Sequence, residues 1–323
     1  MAEQACKASI RKAAHSAGAA LELAELALSI AERVPGQESW RSRLKGYCLA
    51  HKAHALRIAN KLAESEEGFA RAWDLWRAGA DPDALLPEWL LLAMEASLRR
   101  AQRRFPEALD LLDQAVTSPG DTHPEALPIL LLEKEHVYNQ MGDIERAFAA
   151  LAEAAPLVEA SGDGRLLFAL RFNMADNLCH LERHEEAAQL LPVVRELAIQ
   201  QANELDLIRV SWLTAKVAAG EGRAEEAIAG LEQVRQDFTA LELPYNAALS
   251  SLDLCALLLK AGRTVEVKEI AVAMAWIFRA QGIEREAVAA LSLFCDAAAQ
   301  ETASIELAQR VIEEIELVRR SAP

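Results

Sequence analysis

Residues 222–235 read GRAEEAIAGLEQVR, and residues 182–195 read ERHEEAAQLLPVVR. Aligned, they share a basic residue near the start, a glutamate pair, an alanine and a leucine four places after it. The frame recurs as RRFPEALDLLDQAV at 103–116, GDIERAFAALAEAA at 142–155 and GRTVEVKEIAVAMA at 262–275. The position held by Ala108, Ala147, Ala187, Ala227 and Val267 therefore repeats at intervals of 39, 40, 40 and 40 residues. A degenerate copy, KLAESEEGFARAWDLW, puts Ser65 in register 43 residues before Ala108, and GAALELAELALSIAERV supplies one more helix ahead of it. Self-similarity at a fixed period marks a repeat array, in which each unit buries its apolar face only by stacking on the next.

The segments between copies, among them EWLLLAMEASLRRA, RLLFALRFNMADNLCHL, LIRVSWLTAKVAA and NAALSSLDLCALLLKA, carry apolar residues three and four apart. Each repeat thus reads as two amphipathic helices of about 16 to 18 residues, roughly 25 Å long. Gly142, Gly222 and Gly262 stand where the first helix must end and a left-handed residue is wanted. Pro35, Pro82, Pro87, Pro124 and Pro244 fall between pairs or near the start of a first helix, where no hydrogen bond is lost.

Composition agrees with a folded helical chain: 52% of the 323 residues are hydrophobic and 26% charged, while glycine and proline are sparse. Charge is uneven. Residues 1–104 carry 16 basic and 13 acidic groups, and the remainder 18 basic and 36 acidic, so the acidic body would repel a phosphate backbone. Direct nucleic-acid binding is not expected. The first thirty residues lack the apolar core of a signal peptide, and no run approaches the roughly 20 residues of a membrane span. Five single cysteines without CxxC pairs fit a reduced compartment, so a cytoplasmic protein with no membrane partner is expected.

The layout resembles the tetratricopeptide repeat family, over roughly residues 40–282. The resemblance rests on small residues midway along first helices (Ala96, Ala175, Ala215 and Cys255), on the three glycines, and on second-helix alanines at 108, 115, 147, 154, 187 and 227. Arg103 and Glu182 replace the glycine, Glu135 a mid-helix small residue and Val267 an alanine. The period near 40 is similar to the long repeats of Rap- and PlcR-type peptide-sensing regulators, the maltose regulator MalT and kinesin light chains. The resemblance implies an all-α, right-handed α-solenoid of stacked antiparallel helix pairs. One solenoid is expected over 1–323: an N-terminal helical cap at 1–36, about six helix-pair repeats at 37–282, and a capping pair at 283–323 whose last helix ends in Arg319 and Arg320.

The stretch FNMADNLCHLERHEEAAQLL, 172–191, offers a cysteine, two histidines and several carboxylates. Asn173, Asp176 and His180 share one helix face, with Met174, Leu178 and Leu181 on the packing face. His184 lies beyond the turn, and HLERH lacks the glutamate of an HExxH metal site. Cys48, His51 and His54 at three-residue spacing make a poor metal cage without a fourth ligand. No nucleophile elbow or phosphate loop is present. No metal, cofactor or catalytic residue is expected, and the chain does not read as an enzyme. Phe69, Trp73 and Trp76 read as core.

What differs between repeats is the solvent side of the first helices, which the resemblance places on a concave groove. It comprises Arg100, Glu133, His136, Asn139, Gln140, Phe172, Asn173, Asp176, His180, Arg209, Trp212, Lys216, Asp253 and Lys260. Mixed charges, amides and two aromatics suit the grip of an extended peptide. The resemblance singles out Asn173, an asparagine at the helix position that hydrogen-bonds a peptide backbone in such grooves. The expected function is a non-catalytic scaffold or adaptor whose partner is another protein or a peptide segment. The alternatives are a regulatory subunit that changes solenoid curvature on binding a peptide, and a structural subunit assembling through its ends, as a homo-oligomer would.

Overall fold

The computed structural model describes residues 1–13, 16–117, 126–274, 285–299 and 302–321, except for the side chains of 285–290, 293 and 317–321. Among the described residues there are sixteen α-helices and no strand. In chain order they are α1 (Ala2–Ala13), α2 (Ala17–Arg33), α3 (Glu38–Ile58), α4 (Leu62–Ala78), α5 (Glu88–Ala101), α6 (Phe105–Thr117), α7 (Ala126–Met141) and α8 (Ile144–Ser161). They continue as α9 (Gly164–His180), α10 (His184–Gln201), α11 (Glu204–Gly220), α12 (Ala224–Ala240), α13 (Pro244–Lys260), α14 (Thr264–Ala273), α15 (Arg285–Ala299) and α16 (Ile305–Ser321). No helix among these residues is long and apolar enough to cross a membrane.

The chain divides into two compact units, Met1–Leu157 and Val158–Ala322, with the division inside α8. In the first unit α1 packs on α2, α3 on α4 and α5 on α6, and α5 also touches α3 and α7. In the second, α9 packs on α10, α11 on α12, α13 on α14 and α16, and α9 also touches α11. Helices α1 and α2 fall within 1–36, and α3 to α14 within 37–282. The expected boundary at 282/283 lies outside the described residues, as do the side chains of Arg319 and Arg320.

One turn recurs through the array. The amide of Arg183 donates to the Leu178 carbonyl, that of Arg223 to Ala218, that of Arg263 to Leu258, that of Arg104 to Arg99, that of Asp143 to Tyr138 and that of Lys61 to Leu56. This is the closing bond of a Schellman motif, and it requires a left-handed residue just before it. Gly142, Gly222 and Gly262 supply that residue at φ +79°, +80° and +72°; Asn60, Arg103 and Glu182 adopt it at 56°, 59° and 57°. Except at Asp143, the residue after it is basic and opens the second helix. It cannot accept the free amides there, and instead pairs with the glutamate three places on, as in Arg104–Glu107, Arg183–Glu186, Arg223–Glu226 and Arg263–Glu266. The recurring basic-x-x-Glu frame is this fork, which places an anion in the first turn of each second helix.

A side chain in the left-handed region costs about 1–2 kcal/mol, partly offset by the extra chain entropy of glycine. Glu182→Gly is therefore expected to stabilise the chain by about 0.5–1 kcal/mol and to raise its melting temperature by about 1–2 °C. Thermal melts of the two proteins decide it, and a variant that melts below the parent would contradict the turn's geometry.

The small positions do the packing the repeat requires. Ala96, Ala175, Ala215 and Cys255 are buried, as are Ala108, Ala147, Ala187, Ala227 and Val267. A Cβ on Gly230 of α12 would meet the Ala215 Cβ at 3.1 Å, so the two helices approach to near contact there. Ser65, the polar member of the alanine register, is fully buried and donates its hydroxyl to the Ala53 carbonyl at 2.8 Å. That bond satisfies a group whose burial alone would be costly. Glu135, in the place of a small residue, is likewise buried, with His136 Nδ1 2.9 Å from its Oε2.

Candidate functional site

The solvent side of the first helices is polar in both units, and residues one period apart meet. In the second unit Asp176 of α9 and Lys216 of α11, 40 residues apart, form an ion pair at 3.0 Å. His180 Nε2 approaches the other Asp176 oxygen at 3.7 Å. One turn earlier on α11, the Trp212 indole donates to Asp253 of α13 at 2.8 Å. Burial pulls the Lys216 ammonium downward, but the charges of Asp176 and Asp253 and the hydrogen bond to Asp176 together outweigh it, and the pKa ends above the ordinary lysine value. Burial would raise the Asp176 carboxyl, yet the Lys216 charge and the His180 hydrogen bond hold it well below the usual carboxylate range. Asp253 goes the other way: burial raises it, and Lys216 and the Trp212 bond only partly oppose that.

Around this network the remaining expected residues take different places. Asn173 is half-buried on α9, and Lys260 is exposed at the end of α13. Arg209 is exposed and lies 3.5 Å from the Asp206 carboxylate of its own helix, which also pairs with Arg165 of α9. The two aromatics are partly drawn into the packing. Phe172 stacks on Phe168 at 5.7 Å, and Trp212 meets Phe238 edge-on at 5.5 Å. The buried side of α9 runs through Phe168, Leu170, Ala175, Asn177, Leu178 and Cys179, leaving Met174 and Leu181 only half-buried. Packing on both α10 and α11 widens that face beyond a single stripe.

In the first unit the same side of α5 and α7 holds Arg100, Glu133, His136, Asn139 and Gln140, all half-buried. Arg100 Nη2 lies 3.8 Å from Glu133 Oε2. Burial pulls the His136 imidazole down, but its bond to Glu135 and the charges of Glu135 and Glu133 together more than offset this and hold the pKa above the ordinary value. The structure adds two residues from α3 that the sequence pattern did not place here, His54 and Arg57. His54 Nδ1 is 3.4 Å from Ser97 Oγ, and Arg57 feels the charges of Arg100 and Glu133. Burial, followed by the Arg57 charge, holds His54 well below its ordinary pKa, so it is neutral. Burial also lowers Arg57 to about 10, which leaves it a cation at neutral pH. Applying the 43-residue interval of the degenerate repeat to Ser97 and Arg100 gives these two positions.

The histidine and cysteine clusters have other roles. Among the described residues no group of three or more His, Cys, Asp or Glu is placed to hold a metal ion. His51 is buried edge-on against Tyr47 at 4.6 Å, and burial lowers its pKa to about 3. Cys48 sits 3.8 Å from Cys6 of α1. His184 lays its ring over Gly220 of α11, where an added Cβ would collide with it. Phe69 and Trp76 are core, Trp73 is half-buried and donates its indole to Glu95, and Trp89 is also buried.

No protein-family model matches the sequence, and no curated protein matches it significantly. Solved structures do. A Rap protein complexed with competence and sporulation factor superposes with a TM-score of 0.70 over 99% of this chain and 88% of its own, at 14% identity. The fold is a tetratricopeptide-type helical-repeat solenoid. Aspartyl phosphate phosphatase F from Bacillus subtilis follows with a TM-score of 0.60 over 98% and 83% of the two chains, at 12% identity. NprR in complex with its cognate peptide NprX gives 0.56 over 84% and 77%, at 13% identity. At such identities the likeness concerns the fold. On a tetratricopeptide-type solenoid, contacts between residues one period apart are what stacked repeats produce, and the first-helix faces are where those contacts are polar and varied.

Proposed function

We propose that this chain is a non-catalytic interaction protein that binds a peptide or protein segment along the first-helix faces of its repeats. The observation that carries the reading is the polar network on α9, α11 and α13, where Asp176, Lys216, Trp212 and Asp253 are held by one another beside Asn173. Side chains already fixed by neighbours lose little entropy on binding, which suits recognition of an extended backbone. The second reading, a regulatory subunit responding to a short peptide, is favoured by two structural neighbours, Rap complexed with competence and sporulation factor and NprR complexed with its cognate peptide NprX.

The test is affinity capture from the protein's own cells with the parent chain and an Asn173→Ala, Arg209→Ala double variant, the eluted proteins and peptides being sequenced. Asp206 keeps Arg165 when Arg209 is removed, so the helical melt should be unchanged. The expected result is a ligand retained by the parent and reduced about tenfold or more by the variant, the equivalent of about 1.4 kcal/mol. A ligand retained equally by both overturns the first-helix site.

A further inference from the structure

Two of the five cysteines face each other inside the first unit. Cys6 of α1 and Cys48 of α3 are both fully buried, and the Cys6 thiol donates to the Cys48 sulfur at 3.8 Å. The gap that separates them from a disulfide bond of about 2 Å is one that side-chain rotation can close. Cys295, on α15, instead donates to the Ala271 carbonyl at 3.3 Å. The two helices that bring Cys6 and Cys48 together are not held equally. Helix α3 sends Leu44, Tyr47, Leu49 and Leu56 into the core. Helix α1 buries only Ala2, Cys6 and Ser9, and Ile10, its one large aliphatic side chain, is 37% exposed. Its hold on the unit comes from these small side chains and from the Ser9 hydroxyl, which donates to the Ala20 carbonyl of α2 at 2.7 Å. Lifting α1 uncovers little apolar surface, and an element with few buried apolar contacts opens locally far more often than its whole unit unfolds.

While α1 is closed neither sulfur meets solvent. The hydrogen bond to Cys48, followed by burial, pushes the Cys6 thiol well above its ordinary pKa, so the sealed pair is inert. Lifting α1 removes both effects and frees the two thiols together. We propose that Cys6 and Cys48 are a redox modification site: a hydroperoxide that reaches them when α1 lifts converts them to a disulfide that ties α1 to α3. The chemistry takes two steps. One thiolate attacks hydrogen peroxide, an S–O bond forms as the O–O bond breaks, and the departing hydroxide takes up a proton to leave as water. When α1 closes again, the other thiol attacks the resulting sulfenic sulfur. An S–S bond forms, the S–O bond breaks, and the hydroxyl leaves with the thiol's proton as a second water. Two thiols are oxidised and one peroxide is reduced. The reaction needs the open helix and its product forbids it, so the modification responds to the looseness of α1 and then removes it. The site is independent of what the repeats bind.

The experiment treats the fully reduced, full-length chain with hydrogen peroxide at neutral pH without denaturant, blocks the remaining thiols with N-ethylmaleimide and maps the peptides by mass spectrometry. The expected result is a crosslink between Cys6 and Cys48 that forms at a rate independent of protein concentration, before Cys179 or Cys255 is modified. Hydrogen exchange at the α1 amides should slow about tenfold or more in the crosslinked chain and recover on reduction with dithiothreitol. Cys48→Ala keeps the loose helix and removes the partner. In that variant Cys6 should react with N-ethylmaleimide about tenfold or more faster than the equally buried Cys255, and peroxide should carry it on to the sulfinic acid. The proposal is overturned if peroxide oxidises Cys6 in the parent without joining it to Cys48, or if the crosslink forms only in urea that also exposes Cys255. It is overturned equally if the α1 amides exchange as fast with the crosslink as without it. Equal labelling of Cys6 and Cys255 in the variant would show that α1 does not lift by itself, and would overturn it as well.

Discussion

Gly46→Val is expected to cost the first unit about 3 kcal/mol or more, the upper end of what overpacking does. A Cβ at Gly46 would stand 2.8 Å from both the Ala72 carbonyl oxygen and the Trp76 amide nitrogen. Those are backbone atoms of α4, so no rotamer change can relieve the clash. Helices α3 and α4 must move apart, and the seam they would open is tight along its length. A Cβ on Gly68 would come within 2.9 Å of the Ala53 Cβ, and one on Gly79 would strike the Arg43 backbone. Phe69, Ala72, Trp76 and Tyr47 would lose packing, as would the Arg43 guanidinium, which bonds the Trp76 carbonyl at 2.9 Å and stacks on its ring. Even Gly46→Ala should destabilise, although alanine gains about 1 kcal/mol in helix propensity. Gly18→Ala on α2, where the added methyl meets only the Ser16 hydroxyl at 4.0 Å, should be at least neutral. Urea melts of the three variants settle it, and a Gly46→Val protein within 1 kcal/mol of the parent, on the order of the error in such melts, would sink the close-packed seam.

The repeat frame was legible because its signals are local. A left-handed turn, a first-turn glutamate and an alanine at the contact each constrain one position, and together they recur every 40 residues. The turn holds even where its usual residue is missing. Arg103 and Glu182 break the glycine pattern, yet the bond from the following amide to the carbonyl five residues back forms all the same. What sequence could not give is which solvent-side residues are held by neighbours. Asp176 and Lys216 looked like independent surface charges on successive helices, and only the stacking of α9 on α11 turns them into a pair. Phe172 and Trp212 looked equally exposed, but both lean on aromatic residues of the core. His54 and Arg57 escaped because the first interval is 43 rather than 40, which takes α3 out of the register used to choose the face. Gly46 escaped for a different reason: helical periodicity reports which side is apolar, not how closely two backbones approach.

The pairing of Asp176 with Lys216 makes the second unit's stability depend on charge in a way that a variant can expose. In the parent, the Asp176 pKa is depressed, so its contribution is present above the unfolded value of about 3.9 and is lost as pH falls below it. The Lys216 pKa is raised, so its contribution is present below the unfolded value of about 10.4 and is lost only as pH rises through the folded one. Between about pH 5 and 9 the pair therefore gives no pH dependence. Lys216→Met keeps the stem and removes the charge, leaving Asp176 and Asp253 with Glu316 nearby and no ammonium among them. The expected loss at pH 7 is about 2 kcal/mol, below the 3–5 kcal/mol of a fully buried pair because both partners keep some exposure to water. In the variant the Lys216 charge no longer opposes burial at either carboxyl, so both pKa values rise; burial holds Asp253 further above its unfolded value, while the His180 bond still opposes the rise at Asp176. The folded variant then binds protons more tightly at Asp253 than the parent does, so the variant gains more stability than the parent as pH falls from 7 to 5. Hydrogen exchange at the amides of α9 and α11, measured for both proteins at pH 5 and 7 and corrected for intrinsic rates, reads the difference locally. A gap that narrows toward pH 5 supports the coupled network, and Lys216→Arg should restore most of it. A gap of the same size at both pH values would show that the methionine acts by packing alone, and that the polar face of α9, α11 and α13 is not held together by charge.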